Sequence, residues 1–267
     1  MASNIVVSRH AHRAGSERPV VIIWLAALAA LCWVGVLLYN ASASGPPPVA
    51  LLDEIPGPAP ASAPYLASDL ALAFGMWTVV TWAMMLPGAT PVVLLFARVN
   101  LLHHAVRRPW LATALFVAGY LVTWSLFGVL AALLQWGLHD AGELDPAMAV
   151  TSPTIAGLAL VAAGVYQWTP VKHACLHHCR APLAFVLTGW EPGAWGAFRM
   201  GATHGTHCVG AGWLLVLLLF AAGAINLPAL ALLAALVMAE KLLRGGDWVA
   251  CGAGLILLAW GTLLLFP

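Results

Sequence analysis

The chain has 267 residues, of which 62% are hydrophobic and 8% charged, with a mean hydropathy of +0.92 and a formal net charge of +1. This balance describes a chain solvated mostly by lipid, and it offers no basic surface for a nucleic-acid partner. Five cysteines, most of them in or beside apolar stretches, do not resemble the disulfide framework of a small secreted domain.

Residues 1–19 form a polar segment carrying Arg9, His10, His12, Arg13 and Arg18. The apolar run 20–39 follows, and about twenty apolar residues suffice to cross a bilayer. Ala41, Ser42 and Ala43 resemble a signal-peptidase site, but the run exceeds the usual ~7–15 residues of a signal core, so it is read as the first transmembrane helix. Residues 40–69 are rich in Pro, Ala and Ser, with Asp53, Glu54 and Asp69 as the only charges, and predict an extended external loop.

Residues 70–267 predict a six-helix membrane domain. Its first helix, 70–97, contains Pro87 and Pro91, each of which removes a backbone donor, so a kink or break is expected there, just after Met84 and Met85. A basic loop, 98–109, leads to a helix at 110–136. An acidic loop with Asp140, Glu143 and Asp145 leads to a helix at 153–168, and a His/Cys loop occupies 171–182. Residues 182–200 mix Trp190, Trp195 and Phe198 with Gly189, Pro192, Gly193 and Gly196, which suits an interfacial or re-entrant piece. Helices at 202–222, 227–243 and 248–266 complete the chain.

The expected fold is an all-α, polytopic membrane bundle of seven transmembrane helices. With seven spans, all eleven Lys and Arg residues fall on the N-terminal side, and Asp53, Glu54, Asp69, Asp140, Glu143 and Asp145 fall on the other. The positive-inside rule then gives a cytoplasmic N-terminus, an external C-terminus and a multi-pass protein of the bacterial inner membrane. Tryptophans near the predicted helix ends, among them Trp24, Trp110, Trp168 and Trp248, suit interface anchors.

One stretch interrupts the oil: Lys172-His173-Ala174-Cys175-Leu176-His177-His178-Cys179-Arg180. If it is helical, Cys175 and Cys179 share a face and His178 lies close to it. The same topology brings this stretch beside the start of the helix at 202, where His204 and Cys208 stand four apart and His207 is one position off. Cys175, His177, His178, Cys179, His204, His207 and Cys208 are therefore candidate metal ligands. Thiolates and imidazoles favour Cu(I) or Zn(II) over hard cations, with copper ranked first. Cytoplasmic thiols stay reduced and available.

Bland alternatives stand beside these readings. His204 and His207 suit a helix end at the headgroups, Met84 and Met85 suit core packing, and Cys32, Cys208 and Cys251 suit small buried hydrophobes. Glu240-Lys241 predicts a carboxylate at the edge of the hydrocarbon that needs a partner, with Lys172, Arg180 or Lys241 as structural candidates and metal ligation as the alternative.

Further residues carry a resemblance: Trp82-Ala83-Met84-Met85-Leu86-Pro87, Gly119-Tyr120, the run from Gly164 to Pro182, Gly201 with Cys208, and Asn226 with Glu240-Lys241. Over residues 70–245 the chain resembles a bacterial family of predicted metal-binding integral membrane proteins, a domain of unknown function. The resemblance implies metal binding. The chain departs from it at Gly210-Ala211-Gly212-Trp213, where that family typically reads Gly-Cys-Cys-Trp, so two potential ligands are absent. This departure bears on a family-type site in the helix at 202–222, and a degenerate site without metal, in an accessory or structural subunit, is the alternative to copper binding.

No nucleophile–base pair or phosphate loop supports an enzyme. The expected function is soft-metal binding at the cytoplasmic face, for metal handling or delivery to a membrane metalloenzyme. The alternatives are a non-catalytic subunit packed against other membrane subunits, and haem or pigment ligation by His204 or His207.

Overall fold

The computed structural model describes residues 2–43, 66–103 and 109–266. Most of the Pro-rich segment lies outside these residues, as do His104, Arg107 and Arg108. In chain order the helices are α1 (Ala2–Ala43), α2 (Ala67–His103), α3 (Pro109–Asp140), α4 (Pro153–Tyr166), α5 (Pro170–Arg180), α6 (Pro182–Thr188), α7 (Gly193–Leu217), α8 (Leu219–Ala222), α9 (Leu227–Leu242) and α10 (Gly246–Leu265). Among the described residues there is no strand, only an isolated bridge between Leu144 and Val150 in the α3–α4 connection.

Helix starts follow local chemistry. Ser152, Thr169 and Asn226 each accept a hydrogen bond from a first-turn amide, and a proline follows within two positions, where its missing N–H costs nothing. The Thr169-Pro170 pair also ends α4. Pro170 has no amide to continue the helix, and α5 leaves at 64° to α4. The stretch expected as a His/Cys loop is therefore a helix.

Two further expectations are corrected. α2 runs unbroken through Pro87 and Pro91. The Tyr120 hydroxyl donates to the Met85 carbonyl at 3.0 Å, and the Thr90 hydroxyl donates to Leu86 O, so side chains add hydrogen bonds in the turns that carry the prolines. Residues 193–200, expected with 182–192 as a broken piece, are continuous with the helix that follows. They form the opening turns of α7, whose glycines serve as contact points.

Among the described residues, five helices or parts of them are long and apolar enough to cross a membrane: Pro19–Ala41, Ala67–Leu101, Trp110–Asp140, Gly193–Ala222 and Gly246–Leu265, and the bent α4–α5 pair would make a sixth. α9, with 16 residues, is about 24 Å long, short of the ~30 Å hydrocarbon core. Its two ends are held by different helices. Ile225, just before α9, accepts from Asn40 at the end of α1, while Leu243, just after it, accepts from Arg180.

α3 and α7 pack backbone to backbone. A Cβ at Gly201 would collide with the Phe116 carbonyl, and one at Gly119 with the Phe198 carbonyl. Close approach of this kind lets helices associate in lipid, where no hydrophobic force drives them together. Because the obstacle is backbone, Gly201→Ala is expected to destabilise the protein by about 1–3 kcal/mol. Thermal unfolding in detergent measures this, and an unchanged melting temperature would contradict it.

Candidate metal centre

α5 turns one apolar face toward α7. Lys172 and Leu176 are buried on it, with Cys175 and Cys179 half-buried alongside, a spacing of three and four residues that defines one helix face. From α7, His204 and Cys208 face back, one turn apart and both buried. His204 lies well inside α7 rather than at a helix end, because α7 starts at Gly193.

The sulfurs of Cys179 and Cys208 stand 3.3 Å apart, and Cys208 Sγ is 3.7 Å from His204 Nε2. All four cysteines of this region, Cys175, Cys179, Cys208 and Cys251, are free thiols. Two thiolates on a tetrahedral ion at ~2.3 Å lie about 3.8 Å apart, so half an ångström of side-chain opening admits a metal between them. Among the described residues no group of three His, Cys, Asp or Glu side chains is arranged to hold a metal. The donor set is instead a thiol pair with an imidazole behind one sulfur. Cu(I), softer and singly charged, tolerates so low a coordination number better than Zn(II), which prefers four ligands.

The His204 ring is held by aromatics, with Phe185, Tyr120 and Phe116 at centroid distances of 5.5, 5.8 and 6.4 Å. Its Nδ1 is buried without a hydrogen-bond partner. A buried imidazole nitrogen left this way is uncommon.

Each cysteine of the pair is preceded by a histidine. The rings of His178 and His207 stack at 3.9 Å with only 7° between their planes, at the partly exposed rim. His207 Nδ1 is 2.8 Å from the Thr203 carbonyl. His177 points to the exposed side of α5, away from this cluster. Cys175 packs against Gly210: a Cβ at that glycine would stand 2.6 Å from its sulfur. At Gly212 an added Cβ would lie 3.6 Å from the Met85 methyl. One of the two positions where the resembling family carries cysteine thus borders a thioether here.

The charges beneath the thiols are sorted. Lys172 Nζ and Glu240 Oε2 form a fully buried ion pair at 2.7 Å, and Gln167 Nε2 donates to Glu240 Oε1, also at 2.7 Å. Arg180 instead binds Asp247 at 2.7 Å and donates to the carbonyls of Leu243 and Arg244. Lys241 directs its Nζ to Cys208 Sγ at 3.5 Å and Met85 Sδ at 3.6 Å. Met84, its neighbour, lies in the hydrophobic core. Sequence reasoning missed Gln167 and Asp247. The polar Gln167 closing an apolar helix was the available signal for the first.

No curated protein and no solved structure matches the chain. A family model, PpoB2, described as a copper chaperone, matches residues 74–264, a stretch that includes every helix contributing to this centre. The chain belongs to the PpoB2 copper chaperone family.

Proposed function

We propose that this protein is a non-catalytic membrane carrier that holds Cu(I) as cargo between Cys179 and Cys208 and passes it to a metalloenzyme client. The observation that carries the reading is the buried thiol pair, 3.3 Å between sulfurs, contributed by two different helices in a copper chaperone family member. Soft sulfur donors with an imidazole at hand suit Cu(I), and a low donor count suits an ion that must leave again. His204 stands behind the Cys208 sulfur, His178 and His207 form the outward rim, and Cys175 is a reserve thiol one turn away.

The membrane arrangement belongs to the same proposal. We read seven crossings, with α9 as the short one, because that count collects every Lys and Arg of the chain on one side. The thiol pair then lies toward the end marked by Arg180 and Asp247. By the distribution of basic residues this end is cytoplasmic, in the bacterial inner membrane.

The test is Cu(I) retention by the purified full-length protein in detergent, in competition with a chromophoric Cu(I) chelator. Wild type is expected to hold one Cu(I) per chain, and His177→Ala to match it. A wild-type protein that surrenders all copper to a weak chelator would overturn the proposal.

A further inference from the structure

We infer that Lys241 is a built-in countercation that sets the cargo charge, making the thiol pair selective for monovalent soft ions over divalent ones. This rests on the reading of Cys179 and Cys208 as the cargo site.

Lys241 is 7% exposed and lies on α9 beside the pair. The nearest carboxylate in sequence, Glu240, is already committed: one oxygen takes Lys172 and the other takes Gln167. The Lys241 ammonium has sulfur neighbours instead, Cys208 Sγ at 3.5 Å and Met85 Sδ at 3.6 Å. Its stem also lies along α2, since a Cβ at Gly88 would stand 3.2 Å from Lys241 Cδ. The cation is therefore held in place by packing on α2 and aimed at the site.

The consequence follows from counting charge in a low-dielectric interior, where an uncompensated unit charge is costly. Lys172 and Glu240 cancel. Metal ligation takes both cysteines as thiolates, contributing two negative charges. With Lys241 and a monovalent ion the total is zero. With Lys241 and a divalent ion one positive charge remains. Removing the lysine charge reverses the balance: the divalent ion then closes to zero and the monovalent ion leaves one negative charge. The preference for a singly charged ion is thus a property of a residue that is not itself a ligand.

Competition titrations with Ag(I), an air-stable monovalent soft ion, and with Zn(II) test this on purified full-length protein. The readout is the ratio of the two affinities measured on one preparation, so it does not depend on how much of a variant folds. Lys241→Gln is expected to lower the Ag(I)/Zn(II) affinity ratio by at least about tenfold, because a unit charge a few ångströms away in a partly buried site has an effect of that size or larger. Lys241→Arg, which keeps the charge, is expected to keep the wild-type order. Lys241→Leu serves as a second neutral variant if Lys241→Gln cannot be purified. An unchanged ratio in the neutral variants, with wild type binding Ag(I), would overturn the countercation role alone. Failure of wild type to bind either Ag(I) or Cu(I) would overturn the cargo site and this inference together.

Discussion

Cys208→Ser is expected to weaken Cu(I) binding by at least about a hundredfold, more than any other single change in the chain. The Cys208 sulfur stands at the middle of the centre, with Cys179 Sγ at 3.3 Å, His204 Nε2 at 3.7 Å and Lys241 Nζ at 3.5 Å. Serine preserves size and removes the soft donor, and hard oxygen is a poor exchange for thiolate on Cu(I). Even loss of groups that only orient ligands costs metal sites about 10–100-fold, so loss of a ligand belongs at or above the top of that range. Cys179→Ser is expected to have nearly the same effect, and the double variant little more, because one sulfur alone does not hold the ion. Chelator competition reads all three. Additive, small losses would mean that the two sulfurs act independently and do not share a cargo ion.

Glu240→Gln is expected to lower stability by about 3–5 kcal/mol, since removing one partner of a buried ion pair leaves the other charge uncompensated. Lys172 is 0% exposed and sits 2.7 Å from the carboxylate, so water cannot rescue it. The informative companion is Lys172→Met with Glu240→Leu in one chain. Replacing a buried pair by apolar residues of similar volume is often neutral or better, so the double variant is expected to recover most of the loss. Thermal unfolding in detergent compares the two. Equal destabilisation in both would show that the network with Gln167, rather than charge pairing, is what α5 and α9 need.

The elements most legible in the sequence were those governed by spacing along one helix. Cys175 with Cys179 and His204 with Cys208 are four apart, and the structure does place each pair on a single face. Met84 and Met85, being adjacent, had to diverge, and only Met85 reaches the lysine. What spacing does not contain is the angle between helices. That the two faces meet depends on the 64° turn at Thr169-Pro170. Which of three cations would neutralise Glu240 depended on tertiary packing in the same way.

Glycine was the main source of misreading. Gly193 and Gly196 read as breakers, yet both serve the start of a helix: Gly193 takes a positive φ of 85° at the entry to α7, and Gly196 leaves room for the Glu191 carbonyl. Copper was ranked first on donor chemistry, and the family description names the same metal.

α5 is moored at both extremities. Its first turn is tied to α9 through Lys172 and Glu240, and its last residue to the following turn through Arg180, Asp247 and the two carbonyls. A helix fastened twice is unsuited to swinging like a lid. In the proposed carrier, release of the ion therefore falls to rearrangement of thiol and imidazole side chains within a fixed α5, not to a hinged motion of that helix.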